Sequence, residues 1–329
     1  MPRDRYGREI DYLRISLTDR CNLRCVYCMA LSEPRFAPSE DMLDVDEIAQ
    51  VVEAAASVGF RKIRLTGGEP TLRADLLDIV AQVAATPGIQ DVAMTTNGIL
   101  LPRIARDLKE AGLRRVNIHV DSLDPERLAR VMRWGRLDQI WAGIEAAEEA
   151  GLAPIKLNCV VTRGFNDTDA PELARLTLER PWHVRFIELM PLGAGECAAV
   201  ARTRYVPSAE TRQRIEEAFG PLDSLESSNP ADESRNYAWP GAAGVVGFIS
   251  PVSEPYCGTC NRMRLTADGR FHLCLLNDDE LDVRAALRRG EPIEQLASIL
   301  ARAIAAKPTG HSLELGHTTS ERWMHHLGG

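Results

Sequence analysis

"CNLRCVYC" (residues 21–28) follows closely on "YLRISLT" (12–18), and the two together set the reading of the chain. The second stretch is a short apolar and β-branched run that reads as a strand. The first is a C-x3-C-x2-C triplet, Cys21, Cys25 and Cys28, with the aromatic Tyr27 inside it. A structural zinc site wants four closed tetrahedral ligands, so three thiols on one loop leave a metal centre one ligand short. They suit a [4Fe–4S] cubane with one iron lacking a protein ligand, free to take a small molecule. A zinc ion completed by a distant His or Asp is the plainer alternative.

The strand-then-helix unit recurs. Further strands are read at "KIRLTG" (62–67), "VAMTTN" (92–97), "VNIHVD" (116–121), "IKLNCVV" (155–161) and "VRFIELM" (184–190). An amphipathic helix is read over 44–59, capped by Asp44 or Asp46 and ended by Gly59. Other helical segments lie near 74–85, 101–111, 124–150 and 170–180. Six such units imply a parallel sheet, because parallel strands need crossovers. The unusual residues gather where the strands end: the cysteine triplet, "GGEP" (67–70), "TTNG" (95–98), "HVDS" (119–122) and "ELMP" (188–191). That rim is where parallel barrels keep their chemistry. No G-x-G-x-x-G follows the first strand, which weakens a dinucleotide-binding reading. The fold expected is α/β, a partial (β/α)6 TIM-like barrel.

From about residue 205 the alternation stops. "SLESSNPADESRNYAWPGAAG" (224–244) reads as a loop or boundary. Beyond it, "VVGFIS" and "RMRLTADGRFHLCLL" suggest short antiparallel strands with a turn at Asp268–Gly269, then two helices and a polar tail. The division expected is a barrel over 1–225 and a smaller α+β domain over 226–329 that closes the barrel mouth. Net charge is −8, so the surface as a whole does not advertise nucleic acid binding. No apolar run is long enough to span a bilayer and the N-terminus lacks a signal-peptide core, so a cytoplasmic location with reduced thiols is expected. Of 8 cysteines, six fall into two triplets, the second being Cys257, Cys260 and Cys274; Cys159 and Cys197 read as a core thiol and an unassigned loop thiol. At the second triplet, zinc held by those three cysteines and His272 stays open as an alternative.

"CNLRCVYC" with "TGGEP" resembles the radical S-adenosylmethionine (SAM) superfamily. "CGTCNRMRLTADGRFHLC" (257–274), a C-x2-C-x13-C spacing, narrows the resemblance to the MoaA family, the GTP 3′,8-cyclases of molybdenum cofactor biosynthesis. The likeness runs from "LRISLTDRCNLRC" to the final "GG". It implies two [4Fe–4S] clusters, on Cys21, Cys25 and Cys28 and on Cys257, Cys260 and Cys274. It implies that SAM is cleaved at the first cluster to a 5′-deoxyadenosyl radical, which takes hydrogen from C3′ of GTP. The C3′ radical then closes on C8, giving 3′,8-cyclo-7,8-dihydro-GTP, while the second cluster meets the guanine. Another radical SAM enzyme with an auxiliary cluster is the runner-up.

By the same resemblance Tyr27, Gly67, Gly68, Glu69 and Met190 belong to the SAM site. The GTP contacts expected are Arg14, Arg64, Thr95, Lys156, Arg262, Met263 and Arg264, with Arg262 and Arg264 also assigned to catalysis. Arg262 and Arg264 have strand spacing and should face one side. Gly328 and Gly329 match a tail that enters the active site. One departure stands out: His119 replaces a serine that contacts SAM in the family. Alternation puts Asn117, His119 and Asp121 on the lumen face, so His119 either reaches SAM from further back or fills the lumen, satisfied by Asp121 or a backbone carbonyl. The family also implies a flavodoxin- or ferredoxin-like electron donor and a downstream cyclic pyranopterin monophosphate synthase; a homodimer is left open.

Overall fold

In the computed structural model, the run after residue 11 is β1 (Tyr12–Ser16), buried along its whole length. The structure describes residues 2–328 apart from 32, 33, 35, 194, 228, 312 and 314–321. The strands that follow are β2 (Lys62–Thr66), β3 (Asp91–Thr96), β4 (Arg115–His119), β5 (Lys156–Val161) and β6 (His183–Glu188). Each pairs in parallel with the one before it. Their apolar side chains, such as Leu13, Ile63, Met94, Ile118, Leu157 and Phe186, join one continuous core under the crossover helices. Burying a side chain of this size contributes about 1.5–3 kcal/mol.

The helix Val45–Val58 is capped by Asp44, which accepts from Glu47 N at 2.8 Å while Glu47 reaches back to Asp44 N at 3.0 Å. The long helical pattern of 124–150 is two helices, Pro125–Met132 and Leu137–Glu149. The break falls at Arg133, whose φ is +58, with Gly135 just beyond. Two helices that the sequence did not announce, Gly195–Thr203 and Ser208–Phe219, lead out of the barrel.

The C-terminal strands correct the expectation of an antiparallel set. They are β7 (Asp223–Leu225), β8 (Arg235–Ala238), β9 (Val245–Ile249), β10 (Arg262–Leu265), β11 (Arg270–His272) and β12 (Glu280–Asp282). β9 adds parallel to β6, and β10 adds parallel to β1. Only the outer strands are antiparallel, β8 on β9 and β11 on β10. The sheet order is β12-β11-β10-β1-β2-β3-β4-β5-β6-β9-β8-β7, so the barrel stays open. β9 is a short apolar run and β10 alternates arginine with Met263 and Leu265; both are buried like barrel strands, and each finds a parallel neighbour. Among the described residues no helix is long and apolar enough to cross a membrane.

Candidate active site

The first triplet lies on the loop that leaves β1. Cys28 N and Met29 N both donate to Cys25 O, at 3.0 and 3.1 Å, and Val26 N donates to Val131 O at 3.0 Å. Arg24 Nη1 pins the loop from outside through Cys21 O at 2.7 Å and Leu23 O at 2.8 Å. Cys21, Cys25 and Cys28 all line one cavity at the C-terminal ends of the strands. Burial pushes the Cys25 and Cys28 thiols well above their usual range and Cys21 up to about 11; neighbouring thiols and carboxylates add to the rise. Three thiolates can coexist here only around a positive body, which is what an iron–sulfur cluster supplies. Among the described residues no three His, Cys, Asp or Glu side chains converge as ligands of a single ion. Three thiols on one cavity wall, with no fourth protein ligand among the described residues, suit a cubane with one open iron.

Glu69 ties this loop to the next strands. Its Oε1 accepts from Thr71 N at 3.1 Å, Thr71 Oγ1 at 2.6 Å and Thr96 Oγ1 at 2.7 Å, and its Oε2 from Asn97 N at 2.7 Å. Asn97, absent from the sequence expectations, then donates to Asn22 Oδ1 at 2.7 Å inside the cysteine loop. Gly67 and Gly68 have a reason besides room for a ligand. A Cβ on Gly67 would stand 2.5 Å from Thr18 O, and one on Gly68 would stand 2.3 Å from Arg20 O. The end of β2 therefore presses directly on the chain that carries the cysteines, through Gly68 N to Thr18 O at 2.6 Å.

Tyr27 turns its hydroxyl to Asp121 Oδ2 at 2.7 Å and to His119 Nε2 at 2.5 Å, and His119 Nε2 is 2.9 Å from Asp121 Oδ2. The His119 ring lines the cavity, but its Nε2 belongs to this network, as in the second of the two readings given above.

The other half of the cavity is cationic. Register places Arg264, Arg14 and Arg64 side by side on β10, β1 and β2. Adjacent strands are about 4.8 Å apart, so three guanidiniums share one row. Arg185 on β6 faces them; it was not among the residues expected from the sequence. Its Nε and Nη2 donate to Asn158 Oδ1 at 3.0 and 2.7 Å. With the Asn117 amide oriented by its neighbours' donors, Asn117 Oδ1 accepts from Arg185 Nη2 at 2.8 Å and from Arg64 Nη1. Arg14 Nε, Arg64 Nε, Arg262 Nη2 and Thr95 Oγ1 are buried and have no partner among the described residues. Burial and mutual repulsion push Arg185 down to about 10 and Arg264 to about 9. Arginine keeps its proton in proteins, so the cost of burying these charges, with the repulsion between them, is one that an anion would relieve.

A second, smaller cavity adjoins the first and shares Arg14, Met190, Tyr256 and Arg264 with it. Cys257, Cys260 and Cys274 line it. Burial raises the Cys260 thiol, but Arg262 and Lys307 outweigh it and bring the thiol to about 7. Arg8, far away in sequence, holds the loop: it donates to Cys257 O at 2.8 Å, Thr309 O at 2.9 Å and Pro308 O at 2.6 Å. His272 turns Nδ1 to Glu280 Oε1 at 3.1 Å and leaves a buried Nε2 without a partner. Arg262 reaches into this cavity and Arg264 lines both, whereas Met263 between them joins the hydrophobic core. Strand alternation thus turns the Met263 side chain away from the site. Lys156 is not in the cavity wall; burial, with Arg185, Arg64 and Arg115 nearby, brings it down to about 8.

The tail reaches the same place. Arg264 Nη1 donates to Leu327 O at 3.2 Å and to Gly328 O. Gly328 has φ +72, and a Cβ there would stand 2.4 Å from Thr66 Cγ2 and 3.0 Å from Gly67 N. Gly329 lies outside the described residues. A Gly328→Ala change should unseat the tail, lowering product formation on the order of 10- to 100-fold. Iron content and melting temperature should stay near wild type, since Gly328 itself contributes no side chain to the core; normal turnover by the variant would assign the tail no part in the site.

A parallel sheet that brings a three-cysteine loop to its carboxyl rim defines the radical SAM class. Residues 15–177 match the Radical SAM superfamily and residues 182–313 match Molybdenum Cofactor Synthesis C. The solved structures agree on the fold: Streptococcus suis SuiB bound to S-adenosylmethionine covers 83% of this chain and 63% of its own at 15% identity and TM-score 0.59. Methylornithine synthase (PylB) covers 89% and 86% at 15% identity and TM-score 0.52. Among curated proteins, the GTP 3′,8-cyclase of Moorella thermoacetica is 46% identical over 99% of both chains, and that of Pelotomaculum thermopropionicum is 48% identical over 99% of both. The chain belongs to the GTP 3′,8-cyclase family.

Proposed function

We propose that the chain converts GTP to (8S)-3′,8-cyclo-7,8-dihydroguanosine 5′-triphosphate, the first step of molybdenum cofactor biosynthesis. One observation supports this most: a row of buried guanidiniums lies where two adjoining cavities meet, each cavity lined by a cysteine triplet. In this reading SAM sits beside Cys21, Cys25 and Cys28, near Tyr27, Gly67, Gly68, Glu69, His119 and Met190. A second [4Fe–4S] cluster sits on Cys257, Cys260 and Cys274. When bound, SAM and the reduced first cluster supply the one-electron chemistry that starts hydrogen removal from the ribose.

The chain's own residues do the rest. Arg14, Arg64, Arg185, Arg262 and Arg264 hold the triphosphate, with Thr95 adding a hydroxyl. Holding it there aims the ribose toward the first triplet and the base toward the second. Leu23, Ile187, Leu189, Leu192 and Leu275 keep the cavity apolar where the radical chemistry runs. Residues 1–225 and 226–329 act as two units that share one sheet. Electrons come from a flavodoxin- or ferredoxin-like donor, the product passes to a cyclic pyranopterin monophosphate synthase, and the setting is cytoplasmic.

Anaerobic incubation with SAM, reductant and each nucleoside triphosphate tests this. Cyclised product should form from GTP alone, with about eight irons per chain. Zinc at the second triplet, or product from another nucleotide, would overturn it. Lys156 lies outside the cavity wall but close enough to Arg185 and Arg64 to sense charge bound there, and it adds a pH signature. With its pKa near 8 in the free chain, it loses its charge as pH rises, whereas a bound triphosphate would raise that pKa. Binding should therefore take up protons above about pH 8, and GTP affinity should fall as pH climbs from about 7 to about 9. Calorimetry in two buffers reads the uptake. Lys156→Arg should abolish both effects; a flat profile in wild type would show that Lys156 does not sense the bound triphosphate.

A further inference from the structure

The arginine cluster already faces an anion, and the chain supplies it. Glu233 precedes β8, and its side chain is only 11% exposed. Its Oε2 accepts from Arg14 Nη2 at 2.7 Å and from Arg262 Nη1. Its Oε1 stands 3.8 Å from Arg185 Nη1 and 4.0 Å from Arg64 Nη1. These four cations come from β1, β10, β6 and β2, and they are four of the five to which the nucleotide's phosphates are assigned. Burial opposes ionisation of Glu233, but the four arginines hold its carboxyl well below the usual range.

One carboxylate is too little charge for this set. Among the described residues it leaves buried donors on Arg14, Arg64 and Arg262 unpartnered, and Arg264 is not one of its ion-pair partners. A polyphosphate brings several charges and many more acceptor oxygens, each suited to a guanidinium fork. Both anions cannot occupy the same Nη groups, so one must leave when the other arrives.

We propose that Glu233 is an internal competitor for the substrate's phosphates: it holds the arginine cluster until a polyphosphate displaces it. The inference rests on the reading that the phosphates bind there. It has a quantitative consequence. A state that must open before binding weakens every ligand that needs the opening by one common factor, the fraction of molecules already open. GTP and inorganic tripolyphosphate both need the arginines and carry the same penalty. Guanosine, which has no phosphate, carries none.

The test measures dissociation constants for GTP, inorganic tripolyphosphate and guanosine on the anaerobic holoprotein, in wild type and in Glu233→Gln. The amide keeps the shape and removes the charge. GTP and tripolyphosphate should both tighten, by a common factor on the order of 10-fold, with guanosine unchanged. Glu233→Asp, which keeps the charge on a shorter arm, should tighten both by less and serves if the glutamine variant folds poorly. Unchanged or weaker tripolyphosphate binding in both variants would overturn the proposal, as would an equal gain for guanosine. If tripolyphosphate tightens and GTP does not, the competitor stands, and it is the placement of GTP's phosphates that fails.

Discussion

A Cys25→Ser variant is expected to lose SAM cleavage altogether, whereas Cys260→Ser should retain a fraction of it while making no cyclised product. Cys25 lies in the wall of the larger cavity, and Cys260 lines the smaller one. Serine's hydroxyl does not ionise near neutrality and is a hard donor where iron–sulfur clusters take thiolate. Each change should remove its own cluster, so iron should fall from about eight to about four per chain in either variant. The consequences then part. Without the first cluster no electron reaches SAM. Without the second, SAM can still be cleaved, but the base is not held and the events uncouple. Chromatography of 5′-deoxyadenosine and of the cyclised nucleotide separates the two outcomes. Equal loss of SAM cleavage in both variants would contradict this division of labour between the two cavities.

Much of the barrel was legible because its signals are local. β1 to β6 are short runs, four of them with Gly, Asn or Pro within two residues of an end, and each begins and ends within two residues of its sequence reading. The join at 133–136 was not, because helical periodicity continues on both sides and only one backbone angle breaks it. The parallel placement of β9 and β10 was also hidden. A short apolar strand reads the same whether its neighbour runs with it or against it, and here the neighbours are β6 and β1, distant in sequence. The cysteine triplets announced themselves through spacing. Arg185 could have been found, since the apolar–Arg–apolar pattern occurs at "LRI" (13–15), "IRL" (63–65), "VRF" (184–186) and "MRL" (263–265). In a buried strand each such arginine must face the lumen. Glu233 had no comparable signal: it sits in a polar loop among other acids, and only the fold brings it to the arginines.

Arg185 leads to the second large effect. Two edges of its guanidinium are anchored, to Asn158 Oδ1 and to Asn117 Oδ1. Both partners are neutral amides, which fix the plane of the guanidinium without cancelling its charge. The remaining Nη1 edge points toward the anion position, 3.8 Å from Glu233 Oε1. A hydrogen bond to a charged group contributes about 1.5–3 kcal/mol, or roughly 10- to 150-fold in affinity. Arg185→Ala should therefore weaken GTP binding by about that factor, and tripolyphosphate binding alike. Arg185→Lys should recover little of it. An ammonium on a flexible stem cannot bond both asparagines and still face a phosphate, and burial among other cations favours its neutral form. SAM affinity and iron content should stay at wild-type values in both variants, because Arg185 makes no contact with either cysteine loop. Equilibrium binding of GTP, tripolyphosphate and SAM to the three proteins decides the matter. A lysine variant with undiminished GTP affinity would mean that Arg185 only supports the barrel wall, and that the triphosphate is held by the β10-β1-β2 row alone.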